Sequence, residues 1–360
     1  MNNSMTQAQS DRSTRLRVLI VQLQPGYAGT ERHAHELAAG LASAHDVALV
    51  LSNRPTEPCR PPGSFVLRTG VAPGIRLFLA NRVMPWLGVM LAILRFRPDV
   101  IHAHHERSVR IACRCARLVG LPVIGTLHMR YTETNVADCT ALVALTEAER
   151  SRAARVFPRE VAVIETWVMP WPRPNAARMA EIRQQLGLGH AYLFGCVGRL
   201  EPVERMDLLI DAFATADLPQ ARLVIIGDGS ARPALEEQIA RLQLQGRVVL
   251  APSRQDIRDC YAMFGRFVSA AAFAPFGLTL LEAAEQMVPI IATRTEGALA
   301  IARHAPITLV PTDAVDALAA AMRAAITGPA HAPPLKSFAF ADRLPQFEAL
   351  YRRCLPARTS

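Results

Sequence analysis

Short apolar runs, with helix-like stretches between most of them, recur along this chain at 19–21, 47–51, 100–101, 123–126, 142–145 and 161–165. Runs of this length alternating with helical stretches are the strands of βαβ units, which build parallel sheets covered by helices. The alternation then stops. Pro170, Pro172 and Pro174 fall within five residues, and prolines at that density break helix and strand alike. Behind them the pattern restarts, with runs at 192–198, 223–227, 248–250, 267–270 and 290–292. The expected fold is therefore α/β: two doubly wound parallel-sheet domains facing across a cleft. The expected divisions are a disordered polar tail over 1–16, a first domain over 17–168, a linker over 169–176 and a second domain over 177–335. A last amphipathic segment within 336–360, with Ser337 as its N-cap, is expected to pack back on the first domain.

A chain of 360 residues exceeds what one ordinary core encloses, in keeping with two domains. Its 51% of hydrophobic and 20% of charged residues exclude a disordered protein. Lysine and arginine number 40 against 31 acids, a formal charge of +9. That balance favours an anionic partner, either phosphates or an acidic lipid surface. Nucleic acid is not expected, because no basic run is interleaved with aromatics. Seven scattered cysteines lack the paired spacing of a zinc site and read as reduced thiols of a cytosolic protein. No window reaches the roughly 18 uncharged apolar residues of a membrane span. The nearest, 75–96, is interrupted by Arg76, Arg82, Pro85 and Arg95. It reads as a helix packed on a sheet, with a helix lying on a membrane, arginines at the headgroups, as the alternative.

The loops that carry chemistry fall at strand ends. Residues 273–283 follow the strand at 267–269, turn on Pro275 and Gly277, and open an apolar helix. The first turn of such a helix presents unbonded N–H groups and the positive end of its dipole, a site for an anion such as a diphosphate. Glu282, about one turn on, is placed to hydrogen-bond hydroxyls of whatever carries that anion. Gly26 and Gly29 flank a tight strand-to-helix turn, which needs glycine with or without a ligand. His102 and His104 share one strand face, as two metal ligands would. Neither His105 nor Glu106 supplies a third ligand at a defined spacing, so no metal is expected.

Taken in order, these landmarks resemble the retaining GT-B glycosyltransferases of family 4, the group that includes phosphatidylinositol mannosyltransferases and many lipopolysaccharide and capsule enzymes. The likeness runs from about Leu16 to Cys354. Gly26-Tyr27-Ala28-Gly29-Thr30-Glu31-Arg32 looks like the family's first glycine loop, and Asp99-Val100-Ile101-His102-Ala103-His104 its strand-end histidine motif. Gly125-Thr126-Leu127-His128 is similar to the strand ending in the histidine near the transferred sugar. Gly198-Arg199-Leu200, Ile226-Gly227-Asp228-Gly229 and Phe276-Gly277 through Glu282-Ala283 resemble donor-binding landmarks. The resemblance implies sugar transfer from a nucleoside diphosphate sugar, with retention and without a metal or other cofactor. It implies His128 and Arg199 as catalytic residues, the arginine forking onto the leaving diphosphate. It assigns donor binding to Gly26, Gly29, Arg199, Arg205, Gly227, Phe276, Gly277, Leu278 and Glu282, and places His102 and His104 on the acceptor side.

Three positions depart from the family pattern. Ala274 stands where the first of two glutamates grips the sugar, and its methyl accepts no hydrogen bond. Glu204 stands where a lysine holds the diphosphate, with Arg205 beside it as the expected substitute. In Arg294-Thr295-Glu296-Gly297-Ala298 the usual diglycine is half present, and Glu296 is a candidate to stand in for a lost polar contact. Losing a charge-assisted contact costs on the order of 1.5–3 kcal/mol, which weakens an enzyme without abolishing it. The expected function is therefore transfer to a glycan or lipid-linked acceptor, in cell-surface polysaccharide or lipopolysaccharide synthesis. Its expected place is the cytoplasm, peripheral on the inner membrane face. The alternative is a degenerate relative that binds a glycan or a partner. An epimerase fits poorly, for want of an acid/base carboxylate pair.

Overall fold

The computed structural model describes residues 15–24, 29–52, 72–126, 128, 136–169, 173–254, 256–328, 331–335 and 338–356. Gly26, Pro170, Pro172, Ser337 and nearly all of the 1–16 tail lie outside them. The chain divides into two compact units, Met1–Glu165 with Ala341–Ser360, and Thr166–Phe340. The first crossing thus falls at 165/166, ahead of the linker expected over 169–176. The second falls at 340/341, inside the last segment.

In the first unit the strands are β1 (Arg17–Gln22), β2 (Asp46–Ser52), β3 (Ile75–Ala80), β4 (Val100–His104), β5 (Val123–Thr126), β6 (Ala141–Ala144) and β7 (Glu160–Val163). They form one sheet in the order β3-β2-β1-β4-β5-β6-β7, and every pairing is parallel. The connecting helices are α1 (Gly29–Leu41), α2 (Pro85–Phe96), α3 (Glu106–Arg117) and α4 (Glu147–Ala153). The central strands read as near-continuous apolar runs because helices cover both their faces. Every residue of β4 is buried. Ile101 and Ala103 join a core with Val89, Ile93 and Phe96 of α2 and Val109 and Ala112 of α3.

The segment 75–96, expected as one helix, is two elements. Ile75–Ala80 is an edge strand in register with β2, Val47 opposite Ile75. The helix begins only at Pro85, whose fixed φ and missing N–H suit the first helical position. Its end is set by Arg97, in the left-handed region at φ 52, whose N–H closes on the Ile93 carbonyl.

The second unit repeats the winding. Its strands are β8 (Tyr192–Val197), β9 (Ala221–Ile226), β10 (Val248–Ala251), β11 (Arg266–Ser269), β12 (Ile290–Thr293) and β13 (Ile307–Val310). Their order is β10-β9-β8-β11-β12-β13. The helices are α5 (Ala176–Gln185), α6 (Met206–Ala216), α7 (Arg232–Arg241), α8 (Ile257–Met263), α9 (Leu278–Glu285), α10 (Glu296–Ile301) and α11 (Val315–Ala325). The strand β13 and helix α11 had no counterpart in the sequence reading. A final helix, α12 (Phe340–Cys354), ends the described chain.

Strand order fixes where chemistry can sit. In each sheet the winding reverses beside the first strand, between β1 and β4 and between β8 and β11. A crevice opens there outside the carboxyl ends of the strands.

Candidate functional site

The first reversal point gathers histidines. Strand β4 alternates faces, so His102 and His104 lie together while Ile101 and Ala103 enter the core behind. Helix α12 belongs to the same unit and covers the histidine face with Phe347 and Tyr351, both fully buried. His102 Nδ1 sits 2.6 Å from the Tyr351 hydroxyl and its Nε2 2.8 Å from Thr126 Oγ1. Both ring nitrogens of a side chain with no exposure are thus engaged. His102, expected on the acceptor side, thus ties β4 to β5 and α12.

His104 is equally buried and stacks on His102 with ring centroids 4.4 Å apart. Its Nδ1 lies 3.2 Å from His128 Nε2, so this residue, expected on the acceptor side, also stands behind the surface. His33 on α1 completes the group, with ring centroids 5.4 Å from His104 and 5.1 Å from His128. It shares the buried face of α1 with Ala34, Leu37, Ala38 and Leu41, and a histidine on an apolar stripe was the sequence signal for it.

Burial, the largest cause, keeps these rings neutral. It pushes His102 and His128 down to about 3, and His33 and His104 well below the ordinary value, with neighbouring histidines adding to the effect. A neutral ring has one N–H to place. The Nε2 of His104 is buried and has no hydrogen-bond partner among the described residues. A buried N–H without an acceptor is rarer than a bare nitrogen. The proton of His104 therefore belongs on Nδ1, donating to His128 Nε2. His128 accepts there, carries its own proton on Nδ1, and offers its surroundings an N–H donor.

Ligating nitrogens of His33, His104 and His128 lie within 4.8 Å of one another, a set different from the one weighed in the sequence. A metal held by all three would need the His104 and His128 lone pairs turned toward it. In the arrangement present, one of those nitrogens donates to the other.

Helix α1 opens at Gly29 beside this group, and Glu31 in its first turn is buried. Its carboxylate accepts from Gln22 Nε2 at 2.7 Å and Thr30 Oγ1 at 2.9 Å. A carboxylate thus already stands at that helix end.

At the second reversal point two glycine loops pack on each other. A Cβ on Gly227 would lie 1.8 Å from the Gly198 carbonyl oxygen, and one on Gly229 2.4 Å from that of Leu200. Gly227 is required by this approach whatever binds beside it. The pairing extends past the sheet, Gly198 N–H to Ile226 and Leu200 N–H to Asp228. It holds Arg199 at the end of β8 with 66% of its side chain exposed, its guanidinium 4.0 Å from Glu204. Burial raises the Glu204 carboxyl above its usual range, and Arg199 opposes that shift. Arg205, the expected substitute for the missing lysine, is paired with acids in this structure. Its backbone sits at φ 51, in the left-handed region, and its guanidinium binds Asp207 and Asp313.

After β11 the chain reaches α9 through Gly277, which takes φ 75 and leaves the helix without a side-chain cap. Leu278 and Thr279 start the helix with N–H groups beyond its internal bonding. The Phe276 ring is buried against Phe338 at 5.7 Å, so this residue, expected at the donor, anchors the loop. The backbone of the loop is clamped as well, with the Gly297 N–H on the Ala274 carbonyl at 2.9 Å. A Cβ on Gly297 would meet Phe276 backbone at 2.2 Å. Glu282, half-buried, accepts from the Tyr261 hydroxyl at 2.7 Å.

Two doubly wound parallel sheets with loops of this kind define the GT-B fold of glycosyltransferases. The crystal structure of Anabaena HepE in complex with UDP-glucose matches with a TM-score of 0.74, over 95% of this chain and 96% of that one, at 19% identity. The sequence then gives the family. Residues 27–170 match Glycosyltransferase Family 4 and residues 178–339 match Glycosyl transferases group 1. The chain thus carries both domains of a GT-B glycosyltransferase. A glycogen synthase of Mycobacterium tuberculosis is 27% identical over 84% of this chain and 84% of its own length. The lipopolysaccharide core biosynthesis glycosyltransferase LpsE of Rhizobium meliloti is 26% identical over 60% of this chain, a stretch spanning 62% of that relative.

Proposed function

We propose that this protein transfers a sugar from a nucleoside diphosphate sugar to a glycan or lipid-linked acceptor, with retention at the anomeric carbon and no metal. One observation carries the reading: Arg199 stands exposed at the carboxyl end of β8, at the reversal point that β11 and α9 share. A guanidinium and free helix N–H groups at one strand-end crevice suit the charge that develops on a departing diphosphate. The UDP-glucose complex of the HepE neighbour supports a nucleotide-sugar donor. LpsE supports a role in cell-surface polysaccharide or lipopolysaccharide synthesis. We assign the transferred sugar's hydrogen bond to the Nδ1–H of His128, and contact with the donor's hydroxyls to the Glu282 carboxylate that Tyr261 holds. Glu296 adjoins Gly297, whose N–H holds the Ala274 carbonyl, and we assign it to the side of the lost sugar contact.

A second reading, a non-catalytic glycan- or partner-binding relative, is favoured by Glu204, whose carboxyl stands beside Arg199. Calorimetric titration with UDP, GDP and their glucose and mannose conjugates separates the two. The proposal expects at least one to bind, and about ten- to a hundredfold weaker binding in Arg199→Ala. Failure of every nucleotide to bind the folded protein would leave the second reading standing.

A further inference from the structure

We infer that the outer face of α2 docks this protein on an anionic lipid bilayer. This rests on the first unit alone and is independent of the sugar-transfer reading. Eight of the twelve large hydrophobic side chains exposed among the described residues lie between positions 77 and 94. Such concentration is unlike the single scattered residues of an ordinary surface. The helix turns Val89, Ala92, Ile93 and Phe96 into the core. Leu87, Leu91 and Leu94, spaced four and three apart, form a stripe on its other side, each more than two-fifths exposed. Trp86 is 49% exposed, and Val83, in the turn before the helix, is 83% exposed. The helix is therefore apolar on both faces, and the fold uses one.

Charge identifies the occupant. No aspartate or glutamate occurs from 73 to 98, while Arg76, Arg82, Arg95 and Arg97 rim the apolar stripe, all exposed. The neighbouring α3 packs alongside, Arg107 donating to the Arg82 carbonyl and Cys115 to that of Trp86. It adds exposed Arg110 and Arg114 against one exposed acid, Glu106. A second copy docked through this face would set arginine rim against arginine rim around a two-fold axis. An anionic headgroup layer instead complements the rim while the leucines enter the acyl boundary and the indole sits at the interface. At 12 residues the helix is about 18 Å long, so it lies in the boundary rather than crossing it.

The test is co-sedimentation of the full chain with phosphatidylglycerol/phosphatidylethanolamine vesicles, against vesicles of phosphatidylcholine alone. Binding is expected to the anionic vesicles, weakened about tenfold or more in neutral ones or at high salt. Leu87→Glu with Leu91→Glu, and separately Arg82→Glu with Arg95→Glu, each lower it by roughly tenfold or more. All four side chains are exposed, and unchanged melting temperatures confirm folded variants. A blue shift of tryptophan emission on binding is expected to vanish in Trp86→Phe. Absence of binding to anionic vesicles by folded wild type overturns the inference. So does a concentration-dependent dimer that Leu91→Glu dissociates while vesicle binding persists.

Discussion

A histidine acts as a base or as a donor according to which nitrogen carries its proton, and His104 decides this for His128. A leucine at 104 removes the partner that holds the proton on Nδ1 of His128. An asparagine puts an amide N–H near where the imidazole Nδ1–H was. His104→Leu is expected to lower kcat about tenfold or more with little change in KM, and His104→Asn to retain most activity. Nitrogen-15 spectra of labelled protein, showing His128 protonated on Nδ1 in wild type and mixed in His104→Leu, check the cause directly. A second test at this scale is Glu204→Lys, which exchanges a carboxylate beside Arg199 for an ammonium. Affinity for a nucleoside diphosphate is expected to rise by one to two decades, read by calorimetry. The sequence showed His102, His104, His128 and Arg199 as candidates, but not which of them stand in front. Tyr351 is 249 positions from His102, and no spacing rule reaches that far.

Among the elements, the strands that carry the site were legible because a parallel strand buried on both faces writes itself as an apolar run. Two of the four edge strands were not, although Glu160–Val163 and Val248–Ala251 at the other edges were. Ile75–Ala80 has one neighbour and is largely exposed, so it merged with the apolar helix behind it, with Arg82 and Pro85 the markers between them. Ile307–Val310, the edge strand at the far end of the other sheet, was missed for the same reason. The loop before α9 was legible in its glycine but not in its clamp. Gly297→Ala forces a methyl into the Phe276 backbone, so it is expected to cost about 1–3 kcal/mol of stability. Because the displaced loop carries the α9 N-terminus, nucleoside diphosphate affinity falls as well. A lowered melting temperature with unchanged affinity would show that the clamp supports the core only. On the opposite unit, Tyr351→Phe leaves a buried His102 nitrogen unbonded, expected to cost about 1–3 kcal/mol in urea denaturation.

For the whole molecule, the histidine group makes stability depend on pH. In the unfolded chain each ring titrates near about 6.5, whereas in the folded chain burial holds His102 and His128 at about 3 and the other two lower than usual. The unfolded state therefore binds more protons between those values. The full stabilisation is present above about pH 6.5 and declines as pH falls toward 3, by up to about 1.4 kcal/mol per pH unit for each ring. Melting temperatures measured at pH 7, 6 and 5 are expected to fall steadily, and a flat profile would contradict neutral burial. Two doubly wound halves were legible from the alternation of runs and the proline break. The return of the chain was less so, because Thr166–Phe340 is enclosed within the sequence of the other unit.

That enclosure bears on how the protein is made. Domains usually complete in the order in which the ribosome delivers them. Here Thr166–Phe340 is entire before Tyr351 exists, and Val168 already lies against Ala339 where its two ends meet. The amino-terminal sheet, synthesised first, waits with His102 uncovered until the last helix emerges. A chain cut after Phe340 would keep the whole second unit and leave the first without the Phe347 and Tyr351 that cover its histidines.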